Sequence, residues 1–183
     1  MRQNLDNLTQ IKASDFPVGP NSAALNWLNL ICFKLSWLGL VIYQNQAIWF
    51  SLLMLFICLC SFNNRQFFWH TTAAIFIAGT VLDQALLLAG IFDFGRNLLP
   101  AWLLMLWAIF ALTLPHGFSF IGKLSLLAQI CIGACSGMLS YSAGMTLGAV
   151  QFPLGTNLTV LMLGGLWGML LPLFFIIHRT LKT

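Results

Sequence analysis

Charge is what this chain has least of. Only 7% of its 183 residues are charged, with eight Lys and Arg against four acids, and no glutamate occurs. Beside 60% hydrophobic residues and a mean hydropathy of +0.90, so few solvated groups exclude a soluble domain. Apart from Lys34, the basic residues stand singly at the ends of apolar runs, with no basic stripe or tail, so nucleic acid is not an expected partner. The three histidines have neither H-E-x-x-H spacing nor a carboxylate cluster beside them, and neither a metal nor a cofactor is expected. All five cysteines (Cys32, Cys58, Cys60, Cys131 and Cys135) fall inside apolar segments. They read as small buried hydrophobes rather than a disulfide framework.

What the chain does have is apolar runs long enough for membrane helices, which need about 20 residues each. Six are expected, at roughly 24–43, 46–62, 67–92, 98–116, 124–149 and 153–177. The breaks are QNQ at 44–46, NNRQ at 63–66 and DFGRN at 93–97. Pro100 suits a first helical turn, Pro115 ends or kinks the fourth span, and Pro172 is expected to kink the sixth. The fold class is thus all-α integral membrane, a six-transmembrane-helix bundle over residues 23–178. It is flanked by a polar tail at 1–22 and a short basic tail at 179–183. A cleavable signal peptide has its apolar region sooner, so residues 1–22 read as a cytoplasmic tail, with a weakly amphipathic surface helix around Leu5 to Ile11.

Orientation follows from the positive charges. Arg2, Lys12, Arg65, Lys123, Arg179 and Lys182 fall on the side of the N-terminus and Arg96 on the other, which places both termini in the cytoplasm. The aromatic belts agree: Trp27, Trp69 and Phe118 at the inner boundary, Tyr43, Trp49 and Trp102 at the outer one.

Two charges, Lys34 and Asp83, sit inside spans, where an unpaired ion costs several kcal/mol. Both spans run outward and both residues lie at a similar depth, about 15 Å from the outer end, so the two can pair. The simplest reading is a structural ion pair. The sharper one is a proton or ligand site, helped by Thr80 and Gln84 near Asp83 and by Asn26, Asn29 and Ser36 on the first helix. Asn26, Asn29, Phe33, Ser36 and Trp37 share one helical face, with Lys34 at its margin. His70, His116 and His178 are interfacial, and His70 and His116 are placed to converge on one inner-leaflet site.

The fifth span contains CIGACSGMLSYSAGMTLGAV at 131–150, with Ser136, Ser140, Gly144 and Gly148 four residues apart and Gly133 and Gly137 beside them. A catalytic serine is disfavoured by depth, since Ser136 lies roughly 18 Å along its helix from the inner end, where the histidines are. ACSG at 134–137 also has alanine at the first position of the Gly-x-Ser-Gly found in rhomboid-type intramembrane proteases. A Ser136–Lys34 pair would fit the depth but needs a neutral Lys34 while Asp83 favours its charge. The residues read more simply as a helix-packing seam against Gly164, Gly165 and Gly168 of the sixth span or against a partner protein. Tyr141, Ser142 and Thr146 turn away from it and are free to face a ligand.

NLICFKLSWLGLV at 29–41, GTVLDQALLLAGIFDF at 79–94, PAWLLMLWAIFALTLPHGFSF at 100–120 and GMLSYSAGMTLGAVQF at 137–152 carry a resemblance. Together they are similar to a family of small proteobacterial inner-membrane proteins catalogued only as a domain of unknown function, matched in order over about residues 25–175. The resemblance implies a bacterial inner-membrane protein without an assigned activity. It also implies an Asp like Asp83, a His like His116, and neighbouring genes resembling cyclopropane-fatty-acid synthases, hence a link to lipid chemistry. The chain departs from the family at Lys34, where a neutral residue is more common, and at Pro115 and Gly117.

Three functions compete. The first is a non-enzymatic component that handles a lipid or apolar ligand, or supports a lipid-modifying assembly. Its ligand or polar-cleft candidates are Asn29, Lys34, Asp83, Gln84, His116 and Tyr141, and its partners are membrane lipids and a membrane protein or a second copy of the chain. The second is a small-solute transporter or transporter subunit, although the first helix lacks the Ala-x-x-x-Ala-like face of vitamin-transporter subunits and no inverted repeat is visible. The third is an intramembrane enzyme using Ser136 or His116.

Overall fold

The computed structural model describes residues 22–61 and 65–181, so the proposed surface helix at Leu5 to Ile11, most of the N-terminal tail and the last two residues lie outside it. Everything described is helix or connecting loop; the nearest approach to a strand is an isolated antiparallel bridge between Asp93 and Gln151. The helices are α1 (Ser22–Tyr43), α2 (Ile48–Cys60), α3 (Arg65–Leu88), α4 (Ala101–Thr113), the one-turn α5 (Ser119–Gly122), α6 (Leu126–Thr146) and α7 (Thr156–Thr180).

Each break has a local cause. Gln44 takes a positive φ of 49° after α1, and a single 3-10 turn, Gln44–Ala47, leads into α2. Pro100 stands before α4, where its missing N–H is not needed, and its carbonyl accepts the amides of Leu103 and Leu104. Pro115 closes the same helix: the carbonyl of Thr113 accepts the amide of Gly117 at 2.7 Å, turning the chain into α5. Ser125 caps α6 by accepting the amide of Ala128. Pro172 lies inside α7, which continues through it to Thr180.

Four helical stretches are long and apolar enough to cross a membrane: Ala23–Cys60, Trp69–Leu88, Leu126–Thr146 and Thr156–Thr180. The first, of 38 residues, is folded in two at the 3-10 turn. Asn29 reaches Ser61, Cys32 and Cys58 share one buried cluster, and Gly39 faces Phe50, an antiparallel succession of contacts. α2 and α4 have 13 residues each, or about 20 Å of helix, against roughly 30 Å of hydrocarbon. Both are therefore shorter than the spans expected at 46–62 and 98–116, because turns at their ends take up the remaining apolar residues.

α4 is the centre of the bundle. It packs on α1, α2 and α3 and buries residues on every side, as a helix that is apolar all round must. α6 and α7 form the closest pair, and α3 touches α7. The loop after α3 and the loop after α6 are pinned by two backbone hydrogen bonds between Asp93 and Gln151, at 3.0 and 2.9 Å. Large apolar side chains cover the outside: Trp49, Val81, Leu139, Leu161 and Met169 are each more than half exposed. Such a surface suits lipid and not water.

Candidate functional site

Asp83 is 1% exposed, on the inner face of α3. The Trp107 indole donates to its Oδ2 at 2.6 Å from α4, and the Tyr141 hydroxyl donates to its Oδ1 at 2.8 Å from α6. A buried carboxylate is stable only when its oxygens are satisfied, and these two bonds draw three helices together around it. One turn earlier on the same face is Gly79. A Cβ there would overlap the six-membered ring of Trp107, so glycine is what lets the indole lie flat on α3.

The opposite face of Trp107 stacks on Trp167 of α7, with centroids 5.6 Å apart and planes 10° apart. Trp167 in turn fills a notch in α6, where a Cβ on Gly133 or Gly137 would collide with it. Two stacked indoles thus lie between Gly79 of α3 and Gly137 of α6, while Gly133 leaves room for the Trp167 carbonyl. Tyr141 also stacks on Phe92, from the loop after α3, at 5.1 Å.

In front of this aromatic wall is a cleft of about 350 Å³, within the size range of ligand pockets. Phe33, Lys34, Trp37 and Val41 line it from α1, Leu106, Trp107 and Phe110 from α4, and Ile132, Ser136 and Tyr141 from α6. It opens between α1 and α6, where Lys34 and Leu139 both line it and are exposed. A hydrogen bond of 2.9 Å from the Trp37 indole to Ser140 Oγ bridges that opening.

The residues singled out in the sequence separate into several places. Asp83 and Tyr141 meet directly. Lys34 does not meet Asp83, whose hydrogen-bond partners are Trp107 and Tyr141; it lies one position off the buried stripe of Asn29, Phe33, Ser36 and Leu40, and that rotation turns it toward the cleft mouth. Asn29 is fully buried between α1 and α2, donating to Leu25 O at 2.8 Å and Ser61 Oγ at 3.5 Å. Gln84 points away from Asp83 and braces the following loop, donating to Asn97 O at 2.9 Å and accepting from Leu99 N at 3.1 Å.

The small residues of α6 divide between two faces. Gly133 and Gly137 meet α7, and from the other side Gly164 meets Met138 and Gly168 meets Ile130 and Ala134. Ser136, Ser140 and Gly144 line the cleft, at whose edge Gly137 also stands, and Gly148 lies beyond the helix in a turn at φ 75°. A spacing of four drifts about 40° per step around a helix, so the six positions cannot share one edge. Ser136 Oγ donates to Gly133 O at 3.1 Å within its own helix.

At the end of the bundle where α4 leads into α5, His116 lies in the turn beyond α4 and neighbours His178, not His70, which is exposed near the start of α3. Arg179 donates to Gly122 O at 2.7 Å, and Gln129 donates to Gly122 O at 3.4 Å and to Leu124 O at 2.9 Å, tying α7 and α6 to the short α5 and the turn that follows it. The cysteines are all free, but only Cys32 and Cys58 are buried; Cys60, Cys131 and Cys135 lie on the outer, lipid-suited surface. Among the described residues no group of three His, Cys, Asp or Glu side chains is placed to hold a metal ion.

Sequence reasoning missed Gly79, Trp107 and Trp167, whereas Trp37 stood on the face of the first helix already singled out. A signal was present: membrane tryptophans favour the interfaces, so Trp107 and Trp167 in mid-helix imply an interior partner for the indole N–H or ring.

No curated protein and no solved structure matches the chain. Residues 26–173, which include the whole Asp83–Trp107–Tyr141 cluster and the helices around the cleft, match the model of a family described as a protein of unknown function (DUF2878), and the chain belongs to that family.

Proposed function

We propose that this protein binds an apolar ligand, a lipid acyl chain, in the cleft between α1, α4 and α6, as a non-enzymatic component of a bacterial inner membrane. The carrying observation is the cleft itself: about 350 Å³, walled by Phe33, Leu106, Trp107, Phe110 and Ile132, and open sideways toward the lipid-suited surface at Leu139. A sideways opening admits a hydrocarbon chain from the bilayer without passing it through water, and the apolar wall gains by covering it. Asp83 then acts behind the wall, holding Trp107 and Tyr141 so that the cleft keeps its shape. In this reading all six longer helices cross the membrane, α2 and α4 with their flanking turns, both termini are cytoplasmic, and a membrane-protein partner or second copy receives the ligand.

Mass spectrometry of the protein purified in mild detergent tests this. The wild type is expected to retain a lipid that Ser136→Trp, which fills the cleft from α6, loses. A wild type without retained lipid, or a Ser136→Trp variant that retains as much, overturns the reading.

A further inference from the structure

Lys34 is the one charged side chain among the described residues that line the cleft. It sits near the middle of α1, about 18 Å of helix from Ser22 and about 14 Å from Tyr43, so its ammonium is not simply an interfacial group. Among the described residues no carboxylate is supplied to it. Asp83 is committed to Trp107 and Tyr141, and Asp93 lies in the outer loop, where its side chain accepts the amide of Gly95 at 2.6 Å. What the chain does supply is weak: the Lys34 Nζ is 5.9 Å from the Phe33 ring centroid and 6.0 Å from that of Trp37, at the far edge of a cation–π contact. The nearest wall is apolar, but Ser136 and Ser140 add two hydroxyls to the α6 side of the same cleft.

A cation inside a membrane attracts an anion, and one at the mouth of an apolar cleft attracts an anion attached to a chain. We infer that Lys34 binds the anionic head group, carboxylate or phosphate, of an amphiphile whose acyl chain lies in the cleft along Trp37, Leu106 and Phe110. The inference rests on the reading of the cleft as an acyl-chain site and adds the charge of the ligand. The head group comes from one of two sources, a free fatty acid or an anionic diacyl phospholipid.

The experiment is equilibrium binding of bromine-labelled amphiphiles to the full chain in neutral detergent, read by quenching of the cleft tryptophans. Dibromostearate is compared with its methyl ester, and dibromoacyl phosphatidylglycerol with the matching phosphatidylcholine, on wild type, Lys34→Met and Lys34→Arg. In at least one of the two pairs the anionic member is expected to bind the wild type about tenfold more tightly; the pair that shows it identifies the source. Lys34→Met should bring that ratio close to one while still binding the neutral member, which also shows that the variant is folded, and Lys34→Arg should restore it. Equal binding of both members in both pairs, or a preference that survives in Lys34→Met, overturns the role of Lys34 and leaves the cleft standing. If no probe binds the wild type at all, the acyl-chain reading falls with it.

Discussion

Asp83 of α3 and Tyr141 of α6 lie 58 residues apart in the chain and are joined by a 2.8 Å hydrogen bond inside the bundle. With Trp107 on the other carboxylate oxygen, that contact ties the two sides of the molecule through α4. Each buried donor left without an acceptor costs about 1–3 kcal/mol. Asp83→Leu is therefore expected to lower stability well beyond Asp83→Asn, whose amide oxygen can accept from Trp107 while its NH₂ donates to the Tyr141 oxygen. Thermal unfolding of the two variants in detergent checks this, and equal losses would refute it.

Gly79→Leu places a side chain where the Trp107 ring lies. Overpacking of this kind costs about 1–3 kcal/mol, and here the displaced indole also forms the cleft wall. Lower melting temperature and lower lipid retention are expected together. Loss of stability with lipid retention unchanged would separate Trp107 from the cleft.

Two glycines of similar appearance should behave differently. A Cβ on Gly137 meets Trp167, whereas one on Gly165 meets nothing within 4 Å. Gly137→Ala is expected to destabilise by about 1–3 kcal/mol and Gly165→Ala to be neutral or slightly stabilising, since alanine is the better helix former. A destabilising Gly165→Ala in the monomer would contradict the packing described.

Much of the architecture was legible in the chain. Each longer helix fell within or close to an apolar run, and QNQ, Pro100 and Pro115 fell at helix ends because these residues act through their own backbone or the adjacent one. Asp83 was conspicuous as a carboxylate in an apolar run. Its partners were not, because depth leaves open which side of a neighbouring helix faces it: Lys34 has a suitable depth and the wrong rotation.

What the sequence determined alone is the solvent and the secondary structure. An all but uncharged chain must satisfy its backbone within helices and face lipid with its side chains. What only the tertiary structure decided is which polar groups meet. Helical periodicity assigns a residue to a face, but the neighbour across that face is set by how α3, α4 and α6 converge. Thus Gly133 and Gly137 came to rest on α7, Ser136 and Ser140 on a cleft, and the carboxylate of Asp83 on an indole and a phenol brought from two other helices.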